Sequence, residues 1–480
     1  MAAPGRVLEG LRAFDVEVLT RAAGGATSTA PFVVAVAEDR TTLAAAHALR
    51  HNAFVREQAL FAATDRDATD DDPRALVLVA RTTSGEVVGT VRLAPATQDR
   101  DLGWWVGSRL AVAPSARGHS PGVGAALVRA ACAHAERLGA LRFDAHVQVA
   151  NAALFRRLGW TELEAEEAYG RPHVLMTWPV DRVARLAQRT KAPLGPLLAP
   201  FLDRTTGLGG AGYRGDDAAP VPGSDLVAAS DAILPSMVER DPTWAGWCAV
   251  LVNLNDLAAM GAAPVALLDS LGARDASFAT RVVRGIAEAA RAWDVPVVGG
   301  HTQLGVPAAL SVTALGRSAD PVPGGGGRPG HAVTLTADLG GGWRPGYSGA
   351  QWDSTSDRTT AELQALGSFV ARSRPAAAKD VSMAGVVGTL GMLAEASGCG
   401  AVLDVADVPT PVGATTGDWL TCFPGFAMIT SDRPGRTPEP AGPAVSRTCG
   451  TLVAAPGVGL RWPDGRTTPA LTTVTGLGPA

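Results

Sequence analysis

Four acidic sites stand in order along the C-terminal part of the chain: Asp216 and Asp217 in RGDDAA, Asp231 in AASDAIL, Asp256 in VNLNDLAAMGA and Asp380 in KDVSMAG. Carboxylates gathered around a magnesium ion are what a nucleoside triphosphate needs, because the ion takes oxygen ligands and neutralises phosphate charge. Taken singly, each aspartate reads equally well as a surface or helix-capping residue. Nearer the N-terminus, the strand-like Arg109 to Val112 leads into PSARGHSPGVG and then into the helix-like ALVRAACAHAERL. A glycine-rich turn opening a helix offers free backbone N–H groups and the positive end of the helix dipole, which suits a pyrophosphate. Gly122 and Gly124 let the backbone approach such a ligand with no Cβ in the way, although an ordinary tight turn uses the same residues.

These residues need two scaffolds. From Phe32 the pattern predicts a strand (FVVAVAE), a helix over Thr42 to Gln58, a hairpin of LVLVAR and EVVGTVRL turning at Ser84-Gly85, and the strand WWVGSRLAV. A helix over 123–138, a strand over 141–147, a helix over 151–158 and a closing strand over 173–178 complete an α/β arrangement with a mixed sheet. Residues 1–30 read as an extension ahead of this domain, 31–181. Pro193, Pro196 and Pro200 punctuate a linker, 182–203. The remainder alternates strands with alanine-rich helices up to Val312. A second break, Pro321 to Pro329 with four consecutive glycines, divides it into parts of 204–325 and 326–480.

At 480 residues the chain is too long for one ordinary domain, and 46% hydrophobic with 18% charged residues describes globular enzymes rather than disordered or coiled-coil chains. A net charge of -4 gives no electrostatic footprint for nucleic acid. The five cysteines form no CxxC pair, so neither a zinc site nor a disulfide framework is expected, and a reducing cytoplasm fits. The most apolar segment, Ala245 to Ala266, is broken by Asn253, Asn255 and Asp256, so no membrane span is expected. Only two lysines occur, Lys191 and Lys379, and the second directly precedes Asp380.

Over about 150 residues the first domain resembles the GNAT superfamily of N-acetyltransferases. The resemblance is carried by Arg50, Phe54, Val55, Glu57 and Gln58 of an RxxxFVxEQ helix, by GEVVGTVRL, by the RLAV strand and its glycine-rich turn, and by FRRLGW. It implies acetyl-CoA in a splayed gap beside Leu110, Ala111 and Val112, with the backbone N–H of Ala111 or Val112 as natural oxyanion donor, and pyrophosphate on Arg117, Gly118, Gly122 and Gly124. Attack by an amine then needs a proton acceptor, and the departing thiolate needs a donor. Glu57 and His173 are candidates for the first role, though a solvated helix face and a closing strand explain them as well. The tyrosine that often serves as the donor is replaced by Phe155, which leaves Tyr169, the only tyrosine in this half. Asn151 is a candidate contact to CoA or a helix N-cap. Two extra residues, Ser120 and Pro121, displace Arg117 from its usual place relative to the GxG.

The rest of the chain resembles the aminoimidazole ribonucleotide (AIR) synthetase superfamily, nearest in motif to thiamine-monophosphate kinase and selenophosphate synthetase. GDDAA, a strand-terminal Asp, NLNDLAAMGA and VPVVGGHT appear in the expected order. The resemblance implies a two-part, α+β, PurM-like module that binds ATP and Mg2+ and dimerises through its N-terminal part. Carried over by position, Asp217, Ser230, Asp231 and Asp256 would hold metal or phosphate, with Asn253 supporting the same loop. Gly299, Gly300 and His301 would contact nucleotide, and Asp380 and Ser382 would lie near nucleotide or acceptor. His301 replaces the kinase's aspartate in GGDT, Met383 replaces a further acidic residue, and His331 replaces the aspartate of a PGD turn. The loop Gly346 to Ser356 has no counterpart and is a candidate wall of an acceptor pocket. The expected whole is a bifunctional enzyme acting on small molecules. The alternatives are an acetyltransferase on a degenerate nucleotide-binding scaffold, or a GNAT fold that senses acyl-CoA and regulates the ATP half.

Overall fold

The computed structural model describes residues 32–118, 122–202 and 207–480. The predicted extension, 1–30, and the Ser120-Pro121 insertion lie outside them. The chain forms two compact units, Met1–Val180 and Asp181–Ala480.

In the first unit, β1 (Phe32–Val36) is followed by α1 (Arg40–His51), β2 (Leu76–Thr82), β3 (Val87–Pro95) and β4 (Trp104–Val112). Then come α2 (Val123–Arg137), β5 (Arg142–Gln148), α3 (Ala152–Arg157), β6 (Thr161–Ala168) and β7 (Arg171–Trp178). Asp39 caps α1 by accepting from the Thr42 N–H at 2.8 Å. The helix expected to run to Gln58 widens after His51 into a π-helical turn over Asn52–Glu57, a distortion that often marks functional sites. The sheet order is β1-β2-β3-β4-β5-β7-β6. On β2, Leu78 and Ala80 join the core that holds α2, while Val77 and Val79 pack with Ala46 of α1. Strand alternation therefore sets α1 and α2 on opposite faces.

Two irregularities shape the middle of this sheet. Strands β4 and β5 run parallel and pair from Trp104↔Arg142 to Gly107↔Ala145, after which they part. Against β3, Thr90 pairs with Ala111 but Arg92 pairs with Ser108, so β4 carries a bulge in which Arg109 takes a φ of +55°. Strand β6 was not foreseen in the sequence, since TELEAEEA lacks the β-branched pattern of a strand. Its hairpin to β7 turns on Tyr169 and Gly170, with φ of +53° and +68°, the geometry a tight two-residue turn requires.

The second unit opens with α4 (Arg182–Thr190) and α5 (Leu194–Leu198). The predicted linker is thus largely helical, and Val183 and Ala187 are buried because α4 packs on this unit's own elements. Next come β8 (Ala219–Pro220), β9 (Leu226–Ile233), α6 (Pro235–Arg240), α7 (Pro242–Ala259), β10 (Ala263–Ala273), α8 (Ala276–Trp293), β11 (Val297–Leu304) and β12 (Ala309–Arg317). Past the glycine run lie β13 (Ala332–Ala337), β14 (Gly342–Trp343), β15 (Trp352–Asp353), α9 (Thr360–Ser373), β16 (Ala377–Asp380), α10 (Gly385–Ala396) and β17 (Gly400–Asp404). The chain ends with α11 (Thr416–Thr421), β18 (Ala427–Asp432), β19 (Val445–Val453), β20 (Gly457–Arg461) and β21 (Thr467–Leu471). Two principal sheets result, β11-β10-β12-β9-β8 and β16-β18-β13-β19-β17-β20-β21.

Helix α7 is the shared core element, with Leu251, Leu254 and Leu257 packed in one cluster with residues of both parts, including Phe278, Leu363 and Phe426. It crosses α8 at two glycines: a Cβ on Gly246 would lie 2.2 Å from the Val282 carbonyl oxygen, and one on Gly285 would lie 1.9 Å from that of Thr243. Only glycine permits this approach. The loop Gly346 to Ser356 packs onto α6 and α7, and its Thr355 lines a cavity of about 320 Å³. Arg240 stacks 3.7 Å from the Tyr347 ring, and Trp244 Nε1 donates to Gln351 Oε1 at 2.8 Å.

Candidate functional site

The second unit gathers carboxylates from three separate elements. Asp217 comes from the loop before β8, Asp256 from the last turns of α7 and Asp380 from the end of β16, and one oxygen of each lies within 4.8 Å of the others. In the otherwise apolar α7, each polar residue has its own task. Asn253 accepts the Asp231 N–H at 3.1 Å and fixes β9, Asn255 donates to the Gly425 carbonyl at 2.8 Å, and Asp256 enters the cluster. Lys379, 1% exposed, donates to Asp216 at 3.0 Å and Asp217 at 2.9 Å, while the Asp380 N–H donates to Asp217 at 3.0 Å. A Cβ on Gly324 would stand 2.5 Å from Asp216 Oδ1 and 2.8 Å from Lys379 Cε, so a glycine here lets the chain close over the ion pair.

Burial, then the mutual repulsion of Asp256, Asp380, Asp231 and Asp217, pushes the carboxyls of Asp256 and Asp380 well above the usual range. Burial raises that of Asp217 also, against the pull of Lys379. For Lys379 burial acts downward, but the Asp216 and Asp217 carboxylates outweigh it and hold the ammonium above its ordinary value. Asp231 stands at the exposed side, where Lys191 acts on both it and Asp380. Next to Asp380, Ser382 has a buried hydroxyl with no hydrogen-bond partner.

In the first unit, the parting of β4 and β5 opens a cavity of about 340 Å³. Leu110, Asn151, Phe155, Tyr169 and His173 all line it, together with His146 and Arg109. The first N–H groups of α2 receive no side-chain cap.

Family models match both units. Residues 43–160 match the acetyltransferase (GNAT) family, 215–318 the N-terminal domain of AIR synthase related proteins, and 328–454 their C-terminal domain. An uncharacterised protein of Synechocystis sp. is 36% identical over 239 residues, covering 48% of this chain and 74% of that protein. The chain is a GNAT domain joined to an AIR synthase-related pair of domains. A second uncharacterised relative, from Methanocaldococcus jannaschii, is 32% identical over 39% of this chain and 59% of its own length. A thiamine-monophosphate kinase of Synechococcus elongatus is 34% identical over 27% of this chain, which spans 42% of that enzyme.

Within the AIR synthase-related pair, the structure brings together Asp217, Asp256 and Asp380, with Asn253 and Ser382 beside them. It does not bring Gly299, Gly300 and His301 to this cluster. Gly300 lies in a cross-strand row with Asp269, Val312 and Asp231, so β11 is three strands from β9, roughly 14 Å at ordinary strand spacing. Ser230 shares a hydrogen bond with Thr313 at 2.9 Å on the exposed sheet face. Lys379 and Asp216 complete the cluster. Lysine is rare in this sequence, but only the fold turns the Lys379 ammonium back onto RGDDAA.

Within the GNAT domain, Glu57 does not line the cavity. It ion-pairs with Arg117 at 2.8 Å, and Arg117 also donates to the Val112 carbonyl at 2.9 Å, so these two predicted residues occupy each other. Asn151 stands at the N-cap of α3 without a side-chain cap bond. His173 is buried and its Nδ1 lies 2.8 Å from the Arg171 carbonyl. Gly118 takes a φ of +76°, Gly122 is the N-cap of α2, and Gly124 lies in the first turn of α2 against Val112.

A buried ion network in this domain escaped the sequence reading. Arg50 reaches Asp65 and Asp70 at 2.6 Å each, Arg92 reaches Asp67 at 2.6 Å and Asp70 at 2.9 Å, and Arg109 reaches Asp67 at 2.8 Å. Burial works to raise the Asp70 carboxyl, but the Arg50 and Arg92 guanidiniums hold it far below the usual range. The network fastens the segment after α1 over the cavity, with the Arg109 guanidinium 4.8 Å from the Phe61 ring and 5.4 Å from that of Tyr169.

Proposed function

We propose that the chain is a bifunctional enzyme. The GNAT domain moves an acetyl group from acetyl-CoA to a small amine. The AIR synthase-related pair uses magnesium and ATP to phosphorylate or activate a small metabolite. The observation that carries this reading is the convergence of Asp217, Asp256 and Asp380 within 4.8 Å. Three hard oxygen donors at that spacing fit a magnesium ion, which takes oxygens at about 2.0–2.1 Å and keeps several waters. When bound, the ion would neutralise phosphate charge. The chain's own groups supply the rest: Lys379 fixes Asp216 and Asp217, Asn253 fixes β9, and the unpartnered Ser382 hydroxyl is free to meet nucleotide or acceptor.

In the GNAT domain, the backbone N–H of Ala111 or Val112 would receive the thioester oxygen, Arg117, Gly118, Gly122 and Gly124 the pyrophosphate, and Tyr169 would protonate the leaving thiolate. Homodimerisation through the first part of the AIR synthase-related pair is supported by β11, exposed along its whole length with Val297, Val298 and Leu304 outward. A cytoplasmic setting is proposed from the five free cysteines; among the described residues no helix is long and apolar enough to cross a membrane. Domain limits of 31–181, 204–325 and 326–480 follow from the same reading. Replacing Asp256 by Asn should abolish magnesium-dependent ATP turnover by the full chain. Turnover at the wild-type rate removes the assignment of this cluster to ATP chemistry.

A further inference from the structure

Resting on the acetyl-transfer reading of the first unit, we infer that His146, oriented by Glu166, is the general base that deprotonates the amine acceptor. Pairing of β4 with β5 ends at Gly107↔Ala145, so His146 is the first residue of β5 beyond the point where the strands part. Phe143, Ala145 and Val147 point into the core on the α2 face. Alternation therefore turns His146 and Gln148 to the α1 face, where Gln148 meets Gln58 just past the π-helical turn. His146 lines the cavity with Arg109, Tyr169 and His173, and is itself about half exposed at the mouth.

Its Nδ1 contacts Oε1 of Glu166, which stands on β6 beside His173 of β7. A carboxylate on Nδ1 keeps the proton there and leaves the Nε2 lone pair as acceptor, the orientation a general base needs. The other cavity histidine, His173, has its Nδ1 on a neutral backbone carbonyl, which gives no comparable stabilisation to a developing imidazolium. Edge strand β6 also carries Glu162, Glu164 and Glu167. None of these three lines the cavity, so the substrate class, a primary amine that arrives as its ammonium, follows from the proton-accepting role of His146 itself.

The step balances as follows. His146 Nε2 takes one proton from R–NH3+. The freed nitrogen attacks the thioester carbonyl carbon to form the C–N bond. The tetrahedral oxyanion collapses with cleavage of the C–S bond, the thiolate takes a proton from Tyr169, whose phenolic oxygen recovers the second nitrogen proton, and His146 returns its proton to solvent. The products are the acetamide, free CoA thiol and one proton.

The test follows CoA-thiol release by the full chain with acetyl-CoA and a panel of primary amines, across pH. Since general-base catalysis contributes roughly 10²–10⁴-fold, His146→Gln should lower kcat by at least about 100-fold and remove the rising acid limb of the pH–rate profile, with unchanged thermal melting. Glu166→Gln should lower kcat less and shift that limb. Wild-type-like kcat and profile in His146→Gln overturn the proposal, as does a loss of the limb confined to His173→Gln. No thiol release by the wild-type chain with any amine overturns the acetyl-transfer reading itself, and the proposal with it.

Discussion

Replacing Lys379 with Met keeps the stem and deletes the charge, so it isolates what the ammonium does for the carboxylates around it. Removing one partner of a buried ion pair costs about 3–5 kcal/mol. A second route gives the same size. Without the ammonium, Asp217 escapes burial as an anion by taking a proton, and protonating a carboxyl of ordinary pKa ~3.9 at pH 7 costs about 1.36 × 3.1, or ~4 kcal/mol. At pH 5 the same sum is about 1.36 × 1.1, or ~1.5 kcal/mol. The lysine adds no slope of its own, because a cation held above its ordinary value contributes fully below about pH 10 and fades only above it. Denaturant unfolding of the metal-free chain, followed on the AIR synthase-related transition, should therefore show Lys379→Met destabilised by ~4 kcal/mol at pH 7 and by ~1.5 kcal/mol at pH 5. A deficit under about 1 kcal/mol at pH 7, or one equally large at pH 5, refutes the view that this lysine neutralises buried carboxylates.

The raised carboxyls of Asp217, Asp256 and Asp380 make protons compete with a cation. Magnesium should thus raise the melting temperature more as pH climbs from the ordinary carboxylate range, about 4, toward neutral, and calorimetric magnesium affinity should follow the same direction. These groups, raised in the fold, stabilise the metal-free protein most at low pH and less as pH rises. Its melting temperature should fall over the interval in which the magnesium effect grows. Gly285→Ala forces a Cβ to within 1.9 Å of the Thr243 carbonyl and should cost ~3 kcal/mol or more, seen as loss of melting temperature, whereas Gly367→Ala, where nothing lies within 4 Å, should not.

Legibility in the sequence followed the range of the interaction. Strands β2 to β4 and α2 were plain because their patterning is local and long. So was the order of the aspartates, though not which of them meet: Asp217 and Asp380 lie 163 residues apart and are joined by one backbone N–H. Strand β6 was missed because an edge needs no apolar alternation, and four glutamates suppress the signal. The Arg50–Asp70 and Arg92–Asp67 pairs were missed because Asp65 to Asp72 reads as a solvated acidic loop until three arginines are found buried against it. His146 had no motif, since its meaning comes from where β4 and β5 part, a property of register.

The scarcity of lysine now has a structural sense at position 379. The chain has 42 lysines and arginines, and every basic position except Lys191 and Lys379 is arginine. At 379 the ammonium touches Asp216, Asp217 and the Gly215 carbonyl within 3.4 Å, and an added Cβ on Gly324 would sit 3.0 Å from it. A compact charge on a narrow stem fits there, whereas a planar guanidinium carries two more heavy atoms in a fixed fork. Lys379→Arg therefore keeps the charge and breaks the packing. Overpacking costs typically 1–3 kcal/mol, so this variant should lose about 2 kcal/mol, and the loss should be the same at pH 5 and pH 7. Set beside Lys379→Met, whose loss shrinks toward pH 5, the pair separates volume from charge. An arginine variant as stable as wild type would mean that the pocket accepts any cation and that the choice of lysine reflects nothing in the fold.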